Sequence, residues 1–288
     1  MSLIVKEFFD EATWTLSYVV YDEKSLDAVI IDAVWDYDPA SSTLSDESMM
    51  KLVKFIGDHK LKPHLILETH AHADHISSSQ PLKKHYPTAK VAIGANIRKV
   101  QEVFKGVFHL PADFPVDARQ FDLLLHEGEE IGAGTIKIKS IYTPGHTPAC
   151  SSYIIDENVF TGDAIFMPDY GTGRCDFPAG SAEDLYHSVH EKLYGLPDHY
   201  KVYVGHDYKP NGRELRFQST IGEQKEKNIQ LNAKTTRDEF VRFRKERDAK
   251  LAAPRLLLPS VQVNINAGHL PNPEANDVSY LKIPIRRS

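Results

Sequence analysis

The 288 residues carry 34 Lys and Arg against 40 Asp and Glu, a net charge of −6, and 41% of them are hydrophobic. This is ordinary globular composition, long enough for one large domain or two small ones. Acidity without a concentrated basic face argues against nucleic-acid partners, no apolar run approaches a membrane span, and two cysteines without a CxxC allow neither a disulfide framework nor a thiolate zinc site.

The opening MSLIVKEFFDEATW lacks a basic segment followed by a long apolar one, so a cytoplasmic, reducing location is expected. WTLSYVVYD and DAVIIDAV read as two strands joined by the turn-rich DEKS, a hairpin. In ESMMKLVKFIGDHK the apolar residues Met49, Leu52, Val53 and Ile56 have the spacing of an amphipathic helix that ends near Gly57. HLILE returns as a buried strand and delivers THAHADH, which packs His70, His72, Asp74 and His75 into one short stretch. Neutral imidazole is the commonest metal ligand and a carboxylate beside it suits a divalent cation, so a metal loop is favoured over a solvated turn.

The same grammar continues with a helix through Leu82, the strand VAIGA and a helix around Ile97 to Phe104. The Pro-punctuated HLPADFPVDARQF, within an insertion between Ile97 and Phe121, reads as a surface loop or lid. Three further strand-like runs end in candidate ligands: His146 in TPGHT, Asp163 in TGD and His206 in GHD. Taken singly, each could be an ordinary loop residue; together with THAHADH they place donors at strand ends in four loops, where α/β layers usually present their sites. His187 and His190 in LYHSVHEKL fit a partly buried helix face better than a ligand pair. Beyond Lys209, TTRDEFVRFRKERDAKL begins with a capping-box pattern from Thr236 to Glu239 and stops before Pro254, with its Arg and Lys read as a solvated face. The stretch 263–285 reads as an ordered loop and tail laid over the domain. No internal repeat or low-complexity linker is visible, so residues 1–288 are expected to form a single domain, with a core over about residues 10–210 and C-terminal helices and tail over 211–288.

THAHADH, TPGHT, TGD and GHD in this order resemble the metallo-β-lactamase superfamily. The resemblance implies an α/β fold, the αβ/βα sandwich with metals at one edge of its paired sheets, here with a helical C-terminal extension. In the general family pattern one metal takes His70, His72 and His146, a second takes Asp74, His75 and His206, and Asp163 bridges them. The longer stretch YGTGRCDFPAGSAEDLYHSVHEKLYGLPDHYKVYVGHDY is similar to persulfide dioxygenases. That implies oxidation of glutathione persulfide by O2 to sulfite and glutathione, at one Fe(II) per chain held by His70, His146 and Asp163. His72, Asp74, His75 and His206 would then orient ligands and waters, and Arg174 and Tyr208 would contact glutathione. The alternative for Arg174 is a structural ion pair with Asp176, and Cys175 is read as a small filler. The 97–121 insertion, MPDY and the tail after Pro254 resemble a bacterial β-lactamase-like hydrolase subgroup. No cysteine follows Cys175, so no active rhodanese domain is expected downstream in the chain. The competing enzymatic reading is a glyoxalase-II-type thiolester hydrolase with one or two Zn(II), and a metal-stabilised binding module is the non-enzymatic one. A homodimer is a further expectation.

Overall fold

The computed structural model describes residues 2–285. Strands β1 (Leu3–Asp10), β2 (Thr15–Asp22) and β3 (Asp27–Ile31) form an antiparallel meander, so the expected hairpin is present with one more strand before it. All of β1 is half-buried at the sheet edge, which is why its sequence shows no clean alternation. A small sheet of β4 (Val34–Asp38), β5 (Thr43–Ser45) and β7 (Ile76–Ser77) follows, in the order β5-β4-β7. Helix α1 (Glu47–Asp58) leads to β6 (Lys62–Glu68), α2 (Ser79–His85) to β8 (Lys90–Gly94), and α3 (Ile97–Val107) to β9 (Leu123–Leu125). β3, β6, β8 and β9 pair in parallel, and the first large sheet runs β1-β2-β3-β6-β8-β9.

The second sheet, β10 (Glu130–Ala133), β11 (Ile136–Tyr142), β12 (Ser151–Ile155), β13 (Asn158–Phe160), β14 (Lys201–Tyr203) and β15 (Gln218–Thr220), keeps chain order. Between β13 and β14 the chain forms α4 (Ala182–His187), which runs on into a π-helical turn at Ser188–Leu193. Three helices complete it: α5 (Ile221–Lys227), α6 (Arg237–Asp248) and α7 (Leu257–Asn264).

Period-two alternation explains the apolar runs of the central strands. In β3, Val29 and Ile31 join the core shared with the second sheet, while Ala28 and Ile30 join the core beneath α1, α2 and α3. β6 and β8 split the same way, with Leu65, Leu67 and Ala92 on one side and Ile66, Val91 and Ile93 on the other. Strands covered on both faces read as continuous hydrophobic stretches, each fully buried aliphatic side chain contributing roughly 1.5–3 kcal/mol. Second-sheet residues such as Ile138 and Tyr153 belong to a core that extends to Leu185, Val189 and Phe240 on the far helices. This is the expected αβ/βα sandwich.

Two segments add detail to the sequence reading. The 109–121 stretch is the surface loop of the two readings offered, pinned at its far end, where Ala118 and Phe121 are buried in the α3-side core and the Ala118 amide donates to Gln101 on α3 at 2.9 Å. Helix α7 is one of the expected C-terminal helices and ends at Asn264, just inside the stretch read as loop and tail from residue 263; its Pro259 falls in the first turn, where the missing N–H costs nothing, and Val261 and Ile265 bury against the α2 and α3 layer.

Candidate metal centre

The parallel strands of the first sheet end at one edge of the sandwich, and the second sheet brings its own strand ends to the same edge. β3 ends in Asp32, β6 in the loop Thr69–His75, β11 leads to His146, β13 to Asp163 and β14 to His206. The sheets approach closely here, because Gly162 (φ +49°) sits where a Cβ would lie 2.5 Å from the Thr69 hydroxyl. A side chain at that position would hold the two halves of the donor set apart.

Donor atoms of His70, His146 and Asp163 lie within 4.8 Å of one another, and so do those of His72, Asp74 and His75. The two groups adjoin, with the ring centroid of His72 4.1 Å from that of His70 and 4.2 Å from that of His75. His206 Nε2 stands 3.4 Å from both Asp74 Oδ2 and Asp163 Oδ1, and His146 Nε2 is 3.5 Å from Asp163 Oδ2. All four predicted loops therefore meet in one cluster.

The tautomers follow from the partners. His146 Nδ1 donates to the Arg174 carbonyl at 2.7 Å, His75 Nδ1 to the Ile76 carbonyl at 3.1 Å and His206 Nδ1 to the Trp14 carbonyl at 3.2 Å. A carbonyl can only accept, so each of these rings carries its proton on Nδ1 and leaves an Nε2 lone pair for the cluster. His72 is reversed: its Nε2 donates to Asp32 at 3.0 Å, and although burial lowers its pKa, Asp32 and Glu68 raise it well above the usual histidine range, so Nδ1 is a ligand only where a cation replaces its proton. Burial first, then the neighbouring imidazoles, holds His70 well below the usual histidine range, so it is neutral and able to ligate. His70 Nε2, His72 Nδ1, His75 Nε2 and Asp163 Oδ1 are buried without a hydrogen-bond partner. Leaving these four polar atoms buried and unpartnered would be costly without a cation, and their donor chemistry fits one.

Asp32, missed by the sequence reading, is the organiser behind the loop. Buried at the end of β3, it accepts from the Thr69 amide at 2.7 Å, the Thr69 hydroxyl at 2.8 Å and His72. Glu68 stands beside it, 3.4 Å from His72 Nε2 and hydrogen-bonded to Ser77 and Ser79. A single acid at a strand end carries no spacing signal, so sequence alone could not single out either.

A cavity of about 320 Å³ opens on this cluster. Asp74, His146, Asp163 and His206 face it, Trp14, Phe166, Tyr170 and Tyr208 form an aromatic wall, and Arg174, Arg244, Arg247 and Arg255 line the rest. Tyr208 stacks on His206 with centroids 5.5 Å apart, and burial, with Asp163 and Asp74 nearby, keeps its hydroxyl protonated. Arg174 makes the ion pair with Asp176, through two contacts of 2.6 Å, and also donates to the Ala252 carbonyl. Arg244 corrects the reading of α6 as a solvated face: it is buried, paired with Asp248, and reaches Gln230 at 3.0 Å. Cys175 is buried and its thiol pushed up by that burial, as a filler should be. His187 and His190 stand apart from the cluster, His187 paired with Glu191 and His190 stacked on Tyr186.

Residues 15–206 match the family model described as the Metallo-beta-lactamase superfamily. The chain is 48% identical to Glyoxylase B2 of Dictyostelium discoideum over 93% of its own length and 91% of that protein. It is 41% identical to a Beta-lactamase hydrolase-like protein of Agrobacterium fabrum, over 98% of this chain and 64% of that longer one. Identity to the mitochondrial persulfide dioxygenase ETHE1 of Homo sapiens is 29%, covering 92% of this chain and 89% of that protein. Among solved structures, ETHE1 from Myxococcus xanthus superposes with a TM-score of 0.74 at 30% identity, covering 92% of this chain and 100% of that one.

Proposed function

The chain belongs to the metallo-β-lactamase superfamily, and from that premise we propose that it is a persulfide dioxygenase, converting glutathione persulfide, O2 and water into glutathione and sulfite. The observation that carries this reading is the compact His70, His146 and Asp163 group at the cavity. His146 and Asp163 line it and group with His70, which lies behind them; of the other donors Asp74 and His206 line it, and His72 and His75 do not. Two imidazoles and one carboxylate grouped in this way make the triad of non-haem iron oxygenases. Iron(II) bound there would supply open coordination positions and the redox chemistry that O2 requires.

The rest is done by the chain. His146 and His206 are held in the correct tautomer by the Arg174 and Trp14 carbonyls, and Asp32 fixes His72. His72, Asp74, His75 and His206 would then orient waters beside the triad. Tyr208, kept protonated, offers a hydroxyl donor beside the reacting sulfur, and Arg174 offers its remaining N–H groups to a glutathione carboxylate. The human and Myxococcus relatives support the reading.

A second reading has its own observation. The compact His72, Asp74 and His75 group, with Asp163 Oδ1 unpartnered next to it, has the donors for a second ion. Two Zn(II) would supply Lewis-acid activation of water against a glutathione thiolester, and the relative called Glyoxylase B2 favours that.

The two separate cleanly. Anaerobically purified protein is expected to hold about one iron per chain, by the triad argument, to consume O2 with glutathione persulfide and to form sulfite. Zinc-substituted protein should consume none, because zinc has no redox chemistry, and His146→Ala should lose both iron and turnover. Two metals per chain, no O2 uptake and rapid hydrolysis of lactoylglutathione would replace the dioxygenase by the hydrolase.

A further inference from the structure

The metal loop is held from outside the region that matches the superfamily. At the C-terminal end of α7, the buried Asn264 side chain spans residues 72–77 with three hydrogen bonds. Its amide nitrogen donates to the His72 carbonyl and to the His75 carbonyl, each at 2.8 Å, and its oxygen accepts from the Ser77 amide at 2.9 Å. An amide NH2 has two hydrogens, so one goes to each carbonyl and the donor capacity is used up. Those carbonyls belong to the residues whose free nitrogens, His72 Nδ1 and His75 Nε2, face the cluster.

The loop between them has no helix or strand of its own to fix its shape. Pinning both carbonyls to one nitrogen sets the separation of the two backbones and hence of the two rings. Docking of α7 does not depend on this amide. Val261, Ile265 and Ala267 bury in the core that contains Ala71 and Ala73, Gln101 donates to the Ile265 carbonyl at 2.8 Å, and Gln80 donates to the Ala267 carbonyl at 2.8 Å. The apolar contacts and the two glutamines can anchor the segment while Asn264 acts on the loop.

We propose that Asn264 is a positioning residue for the metal centre, and that α7 latches the His70–His75 loop at the span its donors need to converge on a cation. The latch rests on a bound metal: under the hydrolase reading His72 and His75 would hold the second ion directly, and under the dioxygenase reading the latch acts on the one ion through His70 of the same loop.

Cobalt(II), whose visible spectrum reports coordination, is the probe. Metal-free full-length protein is loaded with cobalt(II), and its loss to excess chelator is timed for wild type, Asn264→Ala, Asn264→Asp and Gln101→Ala. Asn264→Asp keeps the shape and the oxygen facing Ser77 but cannot donate to either carbonyl. Both Asn264 variants should release cobalt at least tenfold faster, with an altered spectrum and wild-type far-UV circular dichroism. Gln101→Ala, which frees the Ile265 carbonyl and the Ala118 amide but leaves Asn264 in place, should lower thermal stability while leaving the release rate and spectrum near wild type. Wild-type release from both Asn264 variants would overturn the proposal. So would equally fast release from Gln101→Ala, which would make docking the cause, or failure of both Asn264 variants to fold, which would make the amide a folding determinant. None of these readings involves persulfide or thiolester turnover, so an error about the reaction and an error about the latch show up separately.

Discussion

Arg174 has two claims on it. Its guanidinium fork is matched to Asp176 and its third nitrogen to the Ala252 carbonyl, yet it lines the cavity with N–H groups to spare. If those groups hold a substrate carboxylate, Arg174→Ala should raise KM for glutathione persulfide severalfold and leave kcat little changed, because binding shared by ground and transition states is what is lost. Arg174→Lys should recover part of it, since an ammonium lacks the planar fork. Asp176→Asn is the control: it weakens the ion pair but keeps the guanidinium, so a KM rise as large as that of Arg174→Ala would mean that the pair is structural and the carboxylate contact absent. At this scale the sequence was legible where donors are concentrated. His70, His72, Asp74 and His75 stand together, and His146, Asp163 and His206 each close a strand-like run. Asp32 and Asn264 were illegible because each acts alone, through a contact made only after distant segments have packed.

Helix α6 shows what periodicity can and cannot give. Its start was readable from Thr236 and Glu239, and the capping box forms as that pattern requires. Its exposure was not, since Arg244 turns inward, where Asp248 and Gln230 receive it. A run of charged residues looks the same whether one guanidinium finds a buried partner or none does. One turn on, Arg247 stays half-buried on the cavity side with its guanidinium 6.0 Å from the Tyr170 ring centroid, and among the described residues it has no ion-pair partner. An unneutralised cation at the mouth of a cavity raises the local concentration of an anionic substrate, and salt screens that effect. Arg247→Ala should therefore raise KM for glutathione persulfide at low ionic strength, and the gap from wild type should narrow as salt is added. Steady-state kinetics across a salt series measures it, and a gap independent of salt would mean that Arg247 contributes packing on Tyr170 rather than charge.

The whole molecule depends on two sheets being clamped together, and away from the metal edge Asp27 does part of that clamping. From β3 it accepts from His64 of β6 at 2.7 Å and from the Thr135 amide, in the turn between β10 and β11, at 2.8 Å. The turn is shaped for it, because a Cβ on Gly134 (φ +61°) would lie 2.3 Å from the Asp27 carboxyl carbon. Burial pushes this carboxyl up, but the hydrogen bonds from His64, Thr135 and Ser25 outweigh it and leave the group well below the usual aspartate range. A carboxylate depressed in the folded state binds its proton more readily in the unfolded chain, so its contribution is fully present above the unfolded value of about 3.9. It declines as pH falls below that value and is gone only once the folded group has also taken up its proton. Asp27→Asn keeps the shape but removes the charge. Urea unfolding of metal-free protein should show the variant less stable than wild type at pH 7, with the difference shrinking steadily as pH is lowered from about 4. A difference that stayed constant down the acid limb would assign the clamp to shape and hydrogen bonding at Thr135 and remove the carboxylate charge from the account of how the sheets are held.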